Sequence, residues 1–277
     1  MIKEKNRTLR ILMNTSLAAS CFIFVFPVFW MLMTSMKSNQ EIYNPIPRIF
    51  PKFFDISKYK YLLFEDKYYL RFFINSMIVT TIGTIVSTVD SLAAGFCFAK
   101  IKFKGSKMIF FVILATLMIP FESYMIPLFN FAVKTKLLNT YRGLIFPIIV
   151  SSFGVFLMTQ YIKTIPDELI EAARIDGANI WKIFFTIIVP LSLSSIVLLA
   201  IFQFMTAWGD FIWPLIVSKT QKMYVMELGL TKYRNQFNID YSLLMSASMM
   251  AILPVLIVYL LFKRYIIESN VMTGIKG

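Results

Sequence analysis

Long, nearly uncharged apolar runs recur along this chain. Residues 11–36 carry no charge, and neither do 143–162, 183–209 and 241–262. Residues 72–99 carry only Asp90, and the run at 108–130 carries only Glu122. A bilayer core about 30 Å thick is crossed by about 20 apolar residues in a helix, so each run is long enough for one pass. The runs do not alternate with the two-residue period of barrel strands. Helices are therefore expected throughout, because lipid offers no partner to unpaired backbone groups. The third run is the least regular. It is cleanly apolar only as far as 121, so it can end near Pro120 and leave Met125–Val133 in the interface. Pro27, Pro147, Pro190 and Pro254 fall inside runs, where each removes one helix hydrogen bond and favours a kink or an end.

Composition agrees with the pattern. Hydrophobic residues make up 58% of the 277 residues and charged residues 16%, against about 45–50% and about 25% in soluble domains. That abundance of Phe, Ile, Leu and Met excludes intrinsic disorder. Two Cys exclude a disulfide-stapled module, and Cys21 and Cys97 read as packing residues. The chain has no His, which removes His-based zinc sites, general bases and triads. The formal charge of +13 gathers at the ends of the apolar runs, where membrane proteins meet anionic headgroups, and does not form a nucleic-acid-binding face. A basic stretch precedes the first run, but its 26 residues exceed the 7–15 of a signal-peptide core, so it reads as a retained helix.

The expected architecture is an all-α membrane protein of six transmembrane helices. Residues 1–10 form an N-terminal tail and residues 266–277 a C-terminal one. The membrane domain covers 11–265, with spans near 11–36, 72–99, 108–130, 143–162, 183–209 and 241–262. Six passes put both termini on one side. Basic residues tie at 14 on each side, but the side holding the termini has the shorter segments and the denser charge, including Lys100, Lys102, Lys104 and Lys107. That side is expected to be cytoplasmic. The opposite segment 37–71 mixes charge with Phe53, Phe54, Tyr59, Tyr61, Tyr68 and Tyr69, as an interfacial amphipathic helix does.

The segment 163–182 carries the most information. Thr164 and Asp167 have capping-box spacing, and Pro166 fits a first helical turn. Leu169, Ala172, Ala173 and Ile175 make a small apolar face. Asp167, Glu168, Glu171 and Asp176 make the polar face acidic, unlike the Lys/Arg-rich face of a helix lying on lipid. Gly177 suits a helix stop and Asn179 the cap of the next helix. Such a helix fits a protein groove better than a membrane surface.

Glu171-Ala172-Ala173, three residues, Gly177, nine residues, then Ile187-x-Val189-Pro190 resembles the EAA motif of ABC importer permeases. Val189 stands where that family usually has Leu. The likeness is greatest to the smaller membrane subunit of maltose and multiple-sugar importers, and it runs over about residues 10–277. Asn75-Ser76, Leu117-Met118-Ile119-Pro120, Leu138-Asn139-Thr140-Tyr141, Ile175-Asp176-Gly177-Ala178, Trp208-Gly209-Asp210-Phe211, Trp213-Pro214-Leu215-Ile216 and the terminal Lys276-Gly277 share it. The resemblance implies a type I importer permease fold with a cytoplasmic coupling helix. It implies a second, different permease, two ATP-binding-cassette ATPase subunits carrying ATP and Mg, and an extracellular solute-binding protein that delivers a sugar. Glu171, Ala172, Ala173, Asp176, Gly177, Ile187 and Pro190 would then form the ATPase-coupling loop. Glu171 and Asp176 would make polar contacts, and Gly177 would allow the turn.

The chain lacks a phosphate-binding loop. Gly105-Ser106-Lys107 is the nearest string and lacks the first Gly. It is therefore expected to be a non-catalytic subunit that binds no cofactor or metal. A phosphorylated polyol such as glycerol phosphate is an alternative substrate, but no Lys or Arg lies mid-span to meet a phosphate. An ion-coupled secondary transporter fits one intramembrane Asp and no internal repeat poorly. Three residues are candidates for the substrate path. Asp90 reads as a cavity or subunit-pairing group, as bonded to Ser87, Thr88 or Ser91 on its own helix, or as snorkelling to the interface. Gln203 and Trp208 offer a polar group and a ring for sugars, while Asp210 reads as a helix cap.

Overall fold

The computed structural model describes residues 2–234 and 240–274; of the sequence features above, the terminal Lys276-Gly277 lies outside them. No strand occurs among the described residues. Among the described residues, three helices are long and apolar enough to cross a bilayer alone. They are α1 (Ile2–Ser35), of which Leu9–Ser35 is apolar, α2 (Tyr69–Lys100) and α9 (Tyr241–Gly274), apolar to Tyr265. Helical backbone thus extends into both stretches expected as tails.

The other expected spans are divided. α3 (Ser106–Thr116) and α4 (Phe121–Lys134) meet at 101°, and α7 (Ile180–Leu191) and α8 (Leu193–Trp208) at 76°. Counting each bent pair as one crossing gives up to five. At the first break Pro120 sits extended and has no N–H, so it caps α4 and cannot continue α3. In the fourth run only Tyr141–Ile145 and α5 (Ser152–Lys163) are helical, and Pro147 and the Ser151 cap lie between them. Twelve residues of α5 span about 18 Å, too short for a crossing alone. α6 (Asp167–Ile175) follows α5 after a three-residue link.

The chain divides into two compact units. One takes Met1–Leu70 with Leu230–Leu253. In it the end of α1 is tied to the start of α9, where Ser242 Oγ and Ser246 Oγ donate to the Ser35 carbonyl at 3.2 and 3.0 Å. Asp66 caps α2, accepting from the N–H groups of Tyr68 and Tyr69 at 2.8 and 3.0 Å, and pairs with Lys232 at 2.8 Å. Burial alone pushes the Asp66 carboxyl up, but Lys232 and the two N–H groups outweigh it and hold the group below its ordinary 3.8. Lys58 pairs with Asp240 at 2.7 Å in the same unit.

The other unit takes Arg71–Gly229 with Pro254–Gly277. Its first core gathers Leu92 and Phe96 of α2, Met158 and Ile162 of α5, Ile170 of α6, Ile183, Phe184 and Ile188 of α7, and Leu199 of α8. α2 and α5 approach closely because a Cβ on Gly154 would run into the Ser91 hydroxyl, and one on Gly95 would meet Met158. A second core surrounds Trp213, whose indole N–H donates to the Gly143 carbonyl at 2.8 Å.

Candidate functional site

α6 is fastened from one side and open on the other. Ile170 is 5% exposed, and Ala173 packs beside it on the first core. Lys100, at the end of α2, reaches back to hold the start of the helix. Its side chain is 5% exposed, and its ammonium donates to the Ile165 carbonyl at 2.5 Å and pairs with Asp167 at 2.6 Å. That hydrogen bond and charge hold the Asp167 carboxyl below its ordinary range. The capping box does not form. Thr164 Oγ1 donates instead to the Tyr161 carbonyl, and Pro166 occupies the cap position with no side-chain bond. Asp167 is drawn away because the buried ammonium needs a carboxylate more than α6 needs a second cap.

The end of α6 follows the sequence closely. Gly177 has φ 77°. Its N–H donates to Arg174 O at 3.0 Å, and the Ala178 N–H reaches Ala173 O at 2.9 Å, the paired bonds of a Schellman turn. Asn179 then caps α7 by accepting from the Lys182 N–H at 2.8 Å. Ile187 and Pro190 lie where α7 ends. Phe184–Ile188 form a wide π-turn just before Pro190, and the 76° break follows at Ser192. Pro190 has no N–H to continue the ladder, and such wide turns accommodate that loss. Tyr161 Oη donates to the Leu191 carbonyl at 3.0 Å and fixes α5 to the bend.

The expected apolar face is split in two. Of its members only Ala173 turns inward, beside Ile170, which is not part of that face, whereas Leu169 and Ile175 are 45% and 86% exposed. Glu168, Glu171, Ala172 and Asp176 are exposed beside them. The open side of α6 thus presents carboxylates around apolar side chains.

The substrate-path candidates do not share a site. Trp208 is 3% exposed, stacked on Phe204 and met edge-on by Phe73, so its faces are used in packing. Gln203 is half-buried and Asp90 exposed. The hollows lined by Ser38–Asp55, by Thr135–Arg142 and by parts of α2 and α7 include none of the three. Asp90 does not bond to its hydroxyl neighbours. Ser87, Thr88 and Ser91 are buried on another side of α2, and their hydroxyls have no partner among the described residues. Asp210 accepts from the Trp213 N–H at 3.4 Å, as a cap does, and burial pushes its carboxyl up.

Two sequence features have structural roles that spacing could not disclose. Asn75 is fully buried and latches three segments. Its amide donates to the carbonyls of Lys222 and Tyr224 at 3.0 and 2.8 Å, and its Oδ1 accepts from Tyr141 Oη at 2.7 Å. Asn139, at φ 57°, accepts from the Lys219 and Thr220 N–H groups at 3.0 and 3.1 Å. The partners lie 66 to 149 residues away along the chain, so no local pattern announces them.

Several apolar helices, three of the runs divided, and one outward-facing acidic loop helix define a multi-pass helical membrane protein. Residues 91–266 match the model of the binding-protein-dependent transport system inner membrane component family. The chain is 34% identical to the arabinooligosaccharides transport system permease protein AraQ of Halalkalibacterium halodurans, with 100% of each chain covered. It is 30% identical to the lactose transport system permease protein LacG of Rhizobium radiobacter, with 97% of each covered. In fold it matches a chain from the crystal structure of a bacterial ABC transporter involved in the import of the acidic polysaccharide alginate. There the TM-score is 0.84 at 21% identity, covering 94% of this chain and 97% of that one. The chain belongs to the binding-protein-dependent transport system inner membrane component family.

Proposed function

We propose that this chain is the permease subunit of an ATP-driven importer that takes up a sugar or oligosaccharide delivered by an extracellular solute-binding protein. It is a non-catalytic subunit that crosses the cell membrane six times, with both termini cytoplasmic and a second, different permease beside it. Two ATP-binding-cassette subunits below hold ATP and Mg. α6 seats in a groove of one of them, and closure of the ATPase pair on ATP selects the outward-facing packing of the helices. The sugar reading is supported by the arabinooligosaccharide and lactose systems of the relatives.

The observation that carries the coupling assignment is the two-sided α6. Its inner side, through Ile170 and Ala173, joins the core that holds Ile162, Ile183 and Phe184, while Leu169, Glu171, Ile175 and Asp176 face out. A helix fastened to the core in this way transmits a push to α5 and α7. The test is to tag the chain in its native membrane, extract it gently and identify what co-purifies. An ATPase with a phosphate loop and a second permease are expected with the unmodified chain. With Glu171→Lys plus Gly177→Asp, the ATPase is expected to be lost and the second permease kept. A chain that purifies alone overturns the reading.

A further inference from the structure

We propose that the exposed side of α2 around Asp90 is a seam against the second permease, and that Asp90 is met there by a Lys or Arg side chain of that subunit. The inference rests on the importer reading above. Asp90 lies ten residues before Lys100, about 15 Å along the helix and inside the apolar span. A short carboxylate side chain does not reach the interface from that depth. Among the described residues no hydrogen bond or ion pair engages it, and Lys100 is already held by Asp167. The chain has no Lys or Arg within its own apolar spans to offer.

The surroundings decide between a water-lined path and a protein seam. Ile82, Val89 and Ala93 are exposed on the same side of α2, with Val86 and Cys97 half-buried beside Asp90. The hydroxyls that a sugar path would display, those of Thr84, Ser87, Thr88 and Ser91, are turned into the protein. Sugar sites place several polar groups together, whereas this side has one acid at the edge of an apolar strip. At that depth lipid offers acyl chains and no cation, so it completes only part of the surface. One to two turns from Asp90, Ala93 and Cys97 open onto an apolar hollow of about 160 Å³, closed by Phe96, Ile180, Trp181 and Phe184. An acid beside an apolar recess fits a neighbouring helix that carries a cation and, a turn or two along, a bulky apolar side chain. A single polar pair in such a seam fixes register and choice of partner.

The experiment uses the full chain tagged in its native membrane. If the unmodified chain brings down no second permease, the importer reading fails and this inference falls with it, before position 90 is touched. When the second permease is present, a photoreactive benzophenone side chain at position 90 is expected to crosslink to it, in a stretch holding a Lys or Arg. Asp90→Lys is expected to lower its recovery about tenfold, and reversing the crosslinked cation to Glu to restore it. Asp90→Asn, which inserts more readily than Asp90→Lys, is expected to give an intermediate loss. Crosslinks only to lipid or to another copy of this chain overturn the proposal. So does unchanged recovery with both substitutions, or labelling of Asp90→Cys by a membrane-impermeant thiol reagent in the assembled complex.

Discussion

Gly177 and Asp66 show how single residues set local structure in opposite ways. Gly177 is required by its backbone alone, since a Cβ there would meet nothing within 4 Å. The cost of Gly177→Ala is then the left-handed strain of about 1–2 kcal/mol, and Gly177→Asn recovers part of it because Asn tolerates that region. Thermal unfolding of the purified chain should rank the variants in that order, Ala below Asn below Gly. Asp66 acts through its charge. Its carboxyl titrates lower in the folded chain than its ordinary 3.8, so its contribution is full above that value and is lost as pH falls through the lower folded one. Asp66→Asn removes a charged acceptor, a loss of about 2 kcal/mol at neutral pH. Between pH 7 and pH 3 the melting temperature of the unmodified chain should fall more steeply than that of Asp66→Asn, and equal slopes would contradict the assignment.

Among the elements, α6 and the α2–α5 pair depend on contacts from distant parts of the sequence. α6 has nine residues, too few for a stable helix in isolation. Ile170 and the Lys100 clamp supply what propensity does not. Lys100→Met should therefore raise amide exchange across 166–177 and leave α2 protected, as read by hydrogen–deuterium exchange in detergent. The α2–α5 contact has no room for added volume. Gly154→Ala should cost about 1–3 kcal/mol through overpacking. Ser91→Ala should restore part of that, because the Ser91 hydroxyl is the nearest atom in the way. A double-mutant cycle on thermal stability tests the pairing, and additive losses would count against it.

At the scale of the whole molecule, the proposed orientation makes opposite predictions for two exposed lysines. With Cys21 and Cys97 replaced, Lys104→Cys should be protected from a membrane-impermeant thiol reagent in intact cells, and Lys219→Cys should react. The reverse pattern would invert the topology and place α6 on the wrong side for an ATPase. The apolar runs of α1, α2 and α9 were legible because each has the length and uninterrupted hydropathy of a crossing. The breaks at Pro120 and Ser192 and the division around Pro147 were legible only as prolines, since a proline permits a kink, an end or a sharp bend alike. Which of these it adopts depends on the helices packed around it.

The segment 163–182 shows the same division. The sequence by itself determined the end of α6, the cap of α7 and the acidic face, because those depend on neighbours within a turn. It also determined the family, through a motif whose spacing chance does not reproduce. Only the tertiary structure decided that Asp167 serves Lys100 and not a capping box, that Leu169 and Ile175 turn outward, and that Trp208 is spent on packing. It alone placed Asp90 apart from Ser87, Thr88 and Ser91, and joined Asn75 to Tyr141 and the 222–224 segment. The physical reason is one of range. Backbone hydrogen bonds and caps are made between residues close in sequence, whereas burial, ion pairing and ring contacts are settled by whichever distant segment arrives at the surface.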